Sequence, residues 1–403
     1  MNRLALSVSR GITRVTESAL GPYQAAVIRI GFAGTWLLFL LREFPHRQEL
    51  YGPDGPWSRD LAQQLTTDNG AFTGLLWFDG QGWFETFYLL AVVASALLML
   101  GWRTRTMSVL FMVGVLSLQN RSVFVGDGGD NVLHLMSFYL VFARCGQMWS
   151  LDARRAAREE AARARGEREA TDRVGPVLWV VLGSTLAAVT LAGRLGTDWM
   201  VPALLWTVWA VLGLWWLVGR LAPAGEPRTL LDVVANVLHN GALLVIMAEA
   251  CLIYATAGWY KIQGSRWQDG TAVYYPLHLD SFSPWPSLAD LLSSNGTMVM
   301  LVTYGTVIVQ VAFPFTLFNR RVKNVLLAAM MTEHAVIAVV LGLPFFSLAM
   351  IATDAVFLPT SFLHRLGGWA ARARGRLLRR ADRTLPSPRA PEESEPARVG
   401  FTA

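Results

Sequence analysis

Ten stretches of this chain are apolar for long enough to cross, or nearly cross, a lipid bilayer, and that constrains the fold more than any other feature. About 30 Å of hydrocarbon at about 1.5 Å per helical residue needs about 20 apolar residues. Blocks of that order lie at 24–41, 84–101, 107–119, 131–145, 174–192, 199–218, 233–256, 298–318, 324–341 and 345–363. In hydrocarbon every backbone N–H and C=O must be satisfied within the protein, which leaves helices for such blocks. The chain therefore reads as all-α, a polytopic transmembrane bundle of about ten spans, or eight or nine if the short third and fourth do not cross.

A formal charge of +6 and a pI near 9.6 raise the question of nucleic acid. The arginines instead fall in short clusters between apolar blocks, a pattern of membrane topology, and no nucleic-acid partner is expected. With the N-terminus cytoplasmic, Arg103 and Arg105, the stretch 144–173, Arg220 and Arg228, the group Arg320, Arg321 and Lys323, and the tail all fall inside. The C-terminus is then cytoplasmic too. Loops 42–83, 120–130, 193–198 and 258–297 face out and hold most of the aspartates. Residues 1–20 read as an interfacial amphipathic segment, 21–364 as the transmembrane domain with a charged linker at 150–173, and 365–403 as a basic disordered tail. No cleavable signal peptide is visible, so the first span should serve as its own insertion signal. Cys145 and Cys251 give no disulfide framework.

Only two of the 35 basic residues are lysines, and Lys261 follows the apolar run that begins at Cys251. Arginine keeps its charge almost anywhere, whereas a lysine in a low-dielectric site can become a base. The competing reading is an interfacial belt, with Trp259, Tyr260 and Trp267 at headgroup level and Lys261 reaching to water. A second cluster runs from Asn120 and Arg121 through Asp127, Asp130 and Asn131 to His134. If the segment is helical from Asp127, its polar residues share one face; equally, Asp127 and Asp130 can cap the helix start. Glu333 and His334 form a third group inside an apolar block, where a glutamate needs a partner or a wet cavity. Arg29 and Glu249 are similarly placed charges that an interhelical ion pair would explain. No Walker loop, GxGxxG, HExxH or GxSxG arrangement is present.

The segment Ala257-Gly-Trp-Tyr-Lys-Ile262, followed by Trp267-Gln-Asp-Gly-Thr-Ala272, resembles the part of the vitamin K-dependent γ-carboxylase membrane domain that holds its catalytic lysine, a domain shared with the bacterial HTTM proteins. Asn120-Arg-Ser with Gly128-Gly-Asp-Asn131 and Trp149-Ser-Leu-Asp152 matches a second part, and His334 with Gly342 to Met350 a third. The resemblance runs from about Tyr23 to Leu363. It implies a bacterial cell-membrane protein with an extracytoplasmic site and Lys261 as the base toward a reduced quinone of menaquinone or vitamin K type. O2 and CO2 would be co-substrates if the chemistry is carboxylase-like. Asn120, Arg121, Asp130, Asn131, His134, Tyr254, Trp259, Trp267, Asp269, Glu333 and His334 would line or orient the quinone, and a secreted peptide or protein would be a partner. Where the carboxylase carries a large lumenal domain after its last span, only a basic tail is expected here. The competing functions are a non-enzymatic carrier, or a helper in maturation, export or immunity of a secreted peptide, and a metal-dependent hydrolase built on Asp127, Asp130 and His134.

Overall fold

A computed structural model describes residues 3–167, 172–195, 199–223 and 225–384. Among them the secondary structure is entirely helical. We number the helices of eleven residues or more: α1 Arg3–Glu17, α2 Pro22–Glu43, α3 Arg59–Asn69, α4 Gln81–Leu100, α5 Thr104–Arg121, α6 Gly128–Phe142, α7 Leu151–Ala164, α8 Val174–Leu191, α9 Met200–Leu221, α10 Glu226–Gln263, α11 Gly296–Ala312, α12 Arg320–Val340, α13 Pro344–Asp354 and α14 Thr360–Thr384.

Seven helices are long and apolar enough to cross a membrane, eight if α13 and α14 are counted as one broken span. This revises the expectation of about ten. Helices α5 and α6 are the ones lost: α6 has 15 residues, about 22 Å of helix. The ends of α5 carry Arg105, Gln119, Asn120 and Arg121, and the last three turn their polar groups to protein partners. Helix α10 errs in the other direction. It has 38 residues and runs past Thr256, so Lys261 lies in its last turn and not in a loop. The apolar surfaces of the long helices face outward, with Leu90 and Val93 on α4, Val177 and Val181 on α8, Leu244 and Leu252 on α10, and Leu301 and Ile308 on α11 all exposed. Apolar exteriors of this extent are compatible with a membrane protein.

The core gathers around α2, which packs on α4, α6 and α13. Ile28, Phe32, Trp36 and Leu40 from α2 meet Tyr88, Phe111, Leu133, Met136 and Met350. Arg29 is fully buried in this core. Its Nη1 donates to the Cys145 carbonyl at 3.1 Å and its Nη2 to the Trp149 carbonyl at 2.8 Å. Glu249 instead accepts from the Tyr139 hydroxyl at 3.3 Å, so the two misplaced charges are not an ion pair. The Trp149-Ser-Leu-Asp152 stretch is structural: Asp152 accepts from the Arg103 and Thr104 amides, each at 2.8 Å, tying the α6–α7 loop to the start of α5.

Helix α1 packs on α10, where the Asn236 and Asn240 amides donate to the Thr16, Val15 and Ser18 carbonyls. Those are the carbonyls that a helix end leaves without partners. Helices α8 and α9 form a hairpin. The Trp179 indole donates to the Trp209 carbonyl at 2.9 Å, the Trp209 indole to the Trp179 carbonyl at 3.0 Å, and the rings stack 4.2 Å apart. Gly183 and Gly213 make the room; a Cβ on either would press within 3 Å of the opposing indole.

The segment from Pro359 is a separate unit. It is helical as α14 to Thr384, although lack of structure was expected there: Ala, Arg and Leu dominate 370–382 and favour helix. Residues 385–403 of the expected tail lie outside the described residues, as do 168–171 of the linker and 196–198 of the loop expected to face out.

Candidate functional site

Lysine in the last turn of α10 faces inward. Lys261 Nζ donates to Gln310 Oε1 on α11 at 2.7 Å and sits 5.2 Å from the centre of the Trp267 ring. Gln310 Nε2 donates in turn to Glu333 Oε1 on α12 at 2.8 Å. The orientation of this amide follows from chemistry, since the lysine can only donate and the carboxylate accepts. No carboxylate lies within ion-pair distance of Lys261 among the described residues. Trp259 and Tyr260, its neighbours in sequence, are exposed on the outer surface, as an aromatic belt would be.

His334 follows Glu333 and, about 100° further round the helix, meets a different set. The Tyr254 hydroxyl donates to Asp354 Oδ1 at 2.9 Å and lies 3.1 Å from His334 Nε2. One hydroxyl carries one proton. With that proton on the Asp354 side, His334 Nε2 is the donor to the tyrosine oxygen, and Nδ1 is a bare acceptor. His334 Nδ1, Asp354 Oδ2 and Ser347 Oγ are all buried without a hydrogen-bond partner. Phe313 and Phe346 close the cluster, with ring centroids 6.1 Å from Tyr254 and 5.5 Å from His334 respectively.

Residues 120–134 build a second polar site. Asp127 is the N-cap of α6, its Oδ1 accepting from the Gly129 amide, while Asp130 Oδ2 accepts from the Asp127 amide at 2.7 Å. The two carboxylates therefore form a capping box. Among the described residues no three His, Cys, Asp or Glu side chains converge as metal ligands, so the hydrolase reading has no centre to build on. Gln119 donates to the Asp130 carbonyl and presents Oε1 to His134 Nδ1 at 3.1 Å. An amide oxygen only accepts, so His134 carries its proton on Nδ1. Asp130, Asn131 and His134 line a cavity of about 500 Å³ with Asn120, Trp36 and Tyr51. The Trp36 indole N–H is buried without an acceptor.

The two sites meet at one residue. Phe346 stands between them, its ring against His334 and its backbone so close to Gly129 that a Cβ there would lie 2.6 Å from it. Asp130, Asn131 and His134 are thus brought together with Asn120, while Lys261, Tyr254, Glu333, His334 and Trp267 gather on the other side. Arg121 belongs to neither: its Nη2 donates to the Gly52 and Trp57 carbonyls, holding a loop. Asp269 is exposed and accepts from the Thr271 amide and hydroxyl, bonds that hold its carboxyl below the ordinary range.

Two central residues were not anticipated, Gln310 and Asp354. Each is a lone polar side chain inside an apolar block, the signal that drew attention to Glu333. No family model matches the chain, and no match was found among curated proteins or solved structures.

Proposed function

We propose that the chain is a polytopic membrane protein of the HTTM group, with cytoplasmic termini and an extracytoplasmic site in which Lys261 is the base toward a reduced quinone of menaquinone or vitamin K type. The observation that carries this reading is the set of orphaned acceptors around Tyr254, about two turns before Lys261 on α10. His334 Nδ1 and Asp354 Oδ2 are buried without donors, and an unmet buried acceptor costs about 1–3 kcal/mol. A cluster short of donors fits a ligand that brings hydroxyl groups. A hydroquinone is a planar ring with two such hydroxyls, and it would supply the reducing electrons for chemistry with oxygen.

The chain's own groups have separable tasks. Lys261 takes up the hydroxyl proton at Nζ; an amide oxygen accepts from an amine and an ammonium alike, so Gln310 holds Nζ in place in either form. Glu333 fixes Gln310. Tyr254 sets His334 and Asp354 in register, and Phe313 and Phe346 exclude water. O2, CO2 and a secreted peptide as co-substrates follow from the resemblance alone.

The test is aerobic oxidation of reduced menaquinone or vitamin K by the purified protein. Wild type should turn over, and Lys261→Ala and Lys261→Arg should both abolish turnover with the fold retained. An inactive wild type, or full activity in Lys261→Arg, would overturn the proposal; the second outcome would return Lys261 to an anchoring role in a non-enzymatic protein.

A further inference from the structure

At the opposite end of α10 from Lys261 the molecule has a cavity of about 1270 Å³. From Asn236 to Lys261 the helix climbs about 37 Å, so the two regions are distinct. The cavity lies where the start of α5, the loop after α6 and the first turns of α7 face the α8–α9 hairpin. Its hairpin wall is apolar, with Trp179, Val180, Leu182, Leu212 and Leu214. Its other wall carries Arg103, Arg105, Arg144 and Arg155 with Asp152, Asp172 and Glu160.

The cations are unequally matched. Arg103 and Arg155 share Asp172 at 2.5 and 3.6 Å. Arg144 and Arg228 share Asp232 at 3.4 and 3.0 Å. Asp152 is held by backbone amides of α5, and Glu160 is exposed on α7. Arg105 has neither an ion pair nor a hydrogen bond to its guanidinium among the described residues. It lies 3.7 Å from the centre of the Trp215 ring, with Arg228 5.0 Å from the same ring. Around Arg105, then, three guanidiniums face two carboxylates, Asp232 and Asp152, and both of these are already engaged. Five N–H donors without an acceptor, beside two like charges, call for an anion.

We infer that this cavity is a binding site for an anionic phospholipid, its phosphate held by Arg105 and Arg144 and its acyl chain laid along the Trp179–Leu212 wall. The combination decides the ligand class. A free anion would use the arginines and leave the apolar wall bare; a zwitterionic lipid would use the wall and bring a cation to the arginines. An anionic diacyl phosphodiester meets both, in the manner of basic pockets between membrane helices. The inference uses the membrane reading of the chain and is independent of Lys261.

Native mass spectrometry of the full chain tests it. Delipidated protein in detergent is given equal dioleoyl phosphatidylglycerol and dioleoyl phosphatidylcholine, with and without millimolar inorganic phosphate. Phosphatidylglycerol adducts should exceed phosphatidylcholine adducts by about tenfold, phosphate should not displace them, and Arg105→Gln should remove about nine-tenths of them. Arg105→Lys, which keeps the charge and loses the fork, should fall between. Leu212→Trp fills the apolar wall without touching a charge and should also lower the phosphatidylglycerol adduct, which keeps the test open if Arg105→Gln does not fold. Equal retention of the two lipids, displacement by phosphate, or adducts unchanged in both Arg105→Gln and Leu212→Trp would overturn the assignment.

Discussion

Arg29 and Lys261 are both single cations set in apolar helices, and they are held in opposite ways. Arg29 is closed in the core with Nη1 and Nη2 on two backbone carbonyls, those of Cys145 and Trp149. Lys261 is half-buried and meets a side-chain amide, Gln310, which is itself held by Glu333. A backbone carbonyl cannot swing away or change protonation, so it fixes a cation and gives it structural work. Side-chain partners can rearrange, and the cluster around Tyr254 leaves acceptors open. The kind of partner, more than depth, separates a cation that holds the fold from one available to a ligand.

That distinction can be broken experimentally, and the largest effect belongs to Arg29. Arg29→Met should destabilise the protein by about 1–3 kcal/mol for each carbonyl left unmet, read as a fall in thermal unfolding temperature in detergent; Lys261→Met should leave that temperature nearly unchanged. If the two variants melt alike, the contrast fails. Tyr254→Phe comes next. It strands the His334 donor and the Asp354 acceptor and should cost about 1–3 kcal/mol, whereas Tyr254→Phe combined with Asp354→Leu should cost less than the sum of the single variants, because both remove one shared bond. Gln310→Glu sharpens the comparison from the other side. It gives Lys261 a carboxylate and replaces the N–H that Glu333 accepts with a second carboxylate oxygen, so it should abolish quinol oxidation and also lower stability by about 1–3 kcal/mol.

The smallest effect should come from the pair at the arginine-rich end. The Arg103 guanidinium hydrogen-bonded to Asp172 holds that carboxyl down at about 2, against an ordinary 3.8. A depressed carboxyl lends stability above its unfolded value and loses it as pH falls. This contribution should therefore be complete above pH 3.8 and disappear on the way down to about 2. Asp172→Asn should remove it at neutral pH at a cost under about 1 kcal/mol, measured as a flatter acid limb of the unfolding curve.

Helices α2, α4 and α8 to α12 were legible because an apolar block of about 20 residues is a one-dimensional signal. Lys261 stood out for a similar reason, its rarity among arginines. Partners were not legible. Gln310 and Glu333 come from helices that meet α10 only through the packing of the bundle, and no spacing along the chain encodes that meeting. The apparent site at Asp127 and Asp130 shows the reverse difficulty: acidic residues at a helix start look alike whether they cap the helix or bind a ligand, until backbone amides are seen to occupy their oxygens. The count of spans came down from ten toward eight for a simpler reason, that α6 is short and α5 carries polar residues at both ends. Helices α5 and α6 pack their apolar residues against α2 and α4.

The reciprocal indole bonds of the α8–α9 hairpin have a mechanical consequence. Among the described residues, no hydrogen bond joins 176–195 or 201–221 to the other long helices, since Trp179 and Trp209 satisfy each other. The hairpin meets the rest of the molecule through apolar surface and the cation–π contacts at Trp215. Tilting the hairpin would shift apolar packing and those cation–π contacts but break no hydrogen bond to another long helix among the described residues, so packing alone sets its posture on the rest of the bundle.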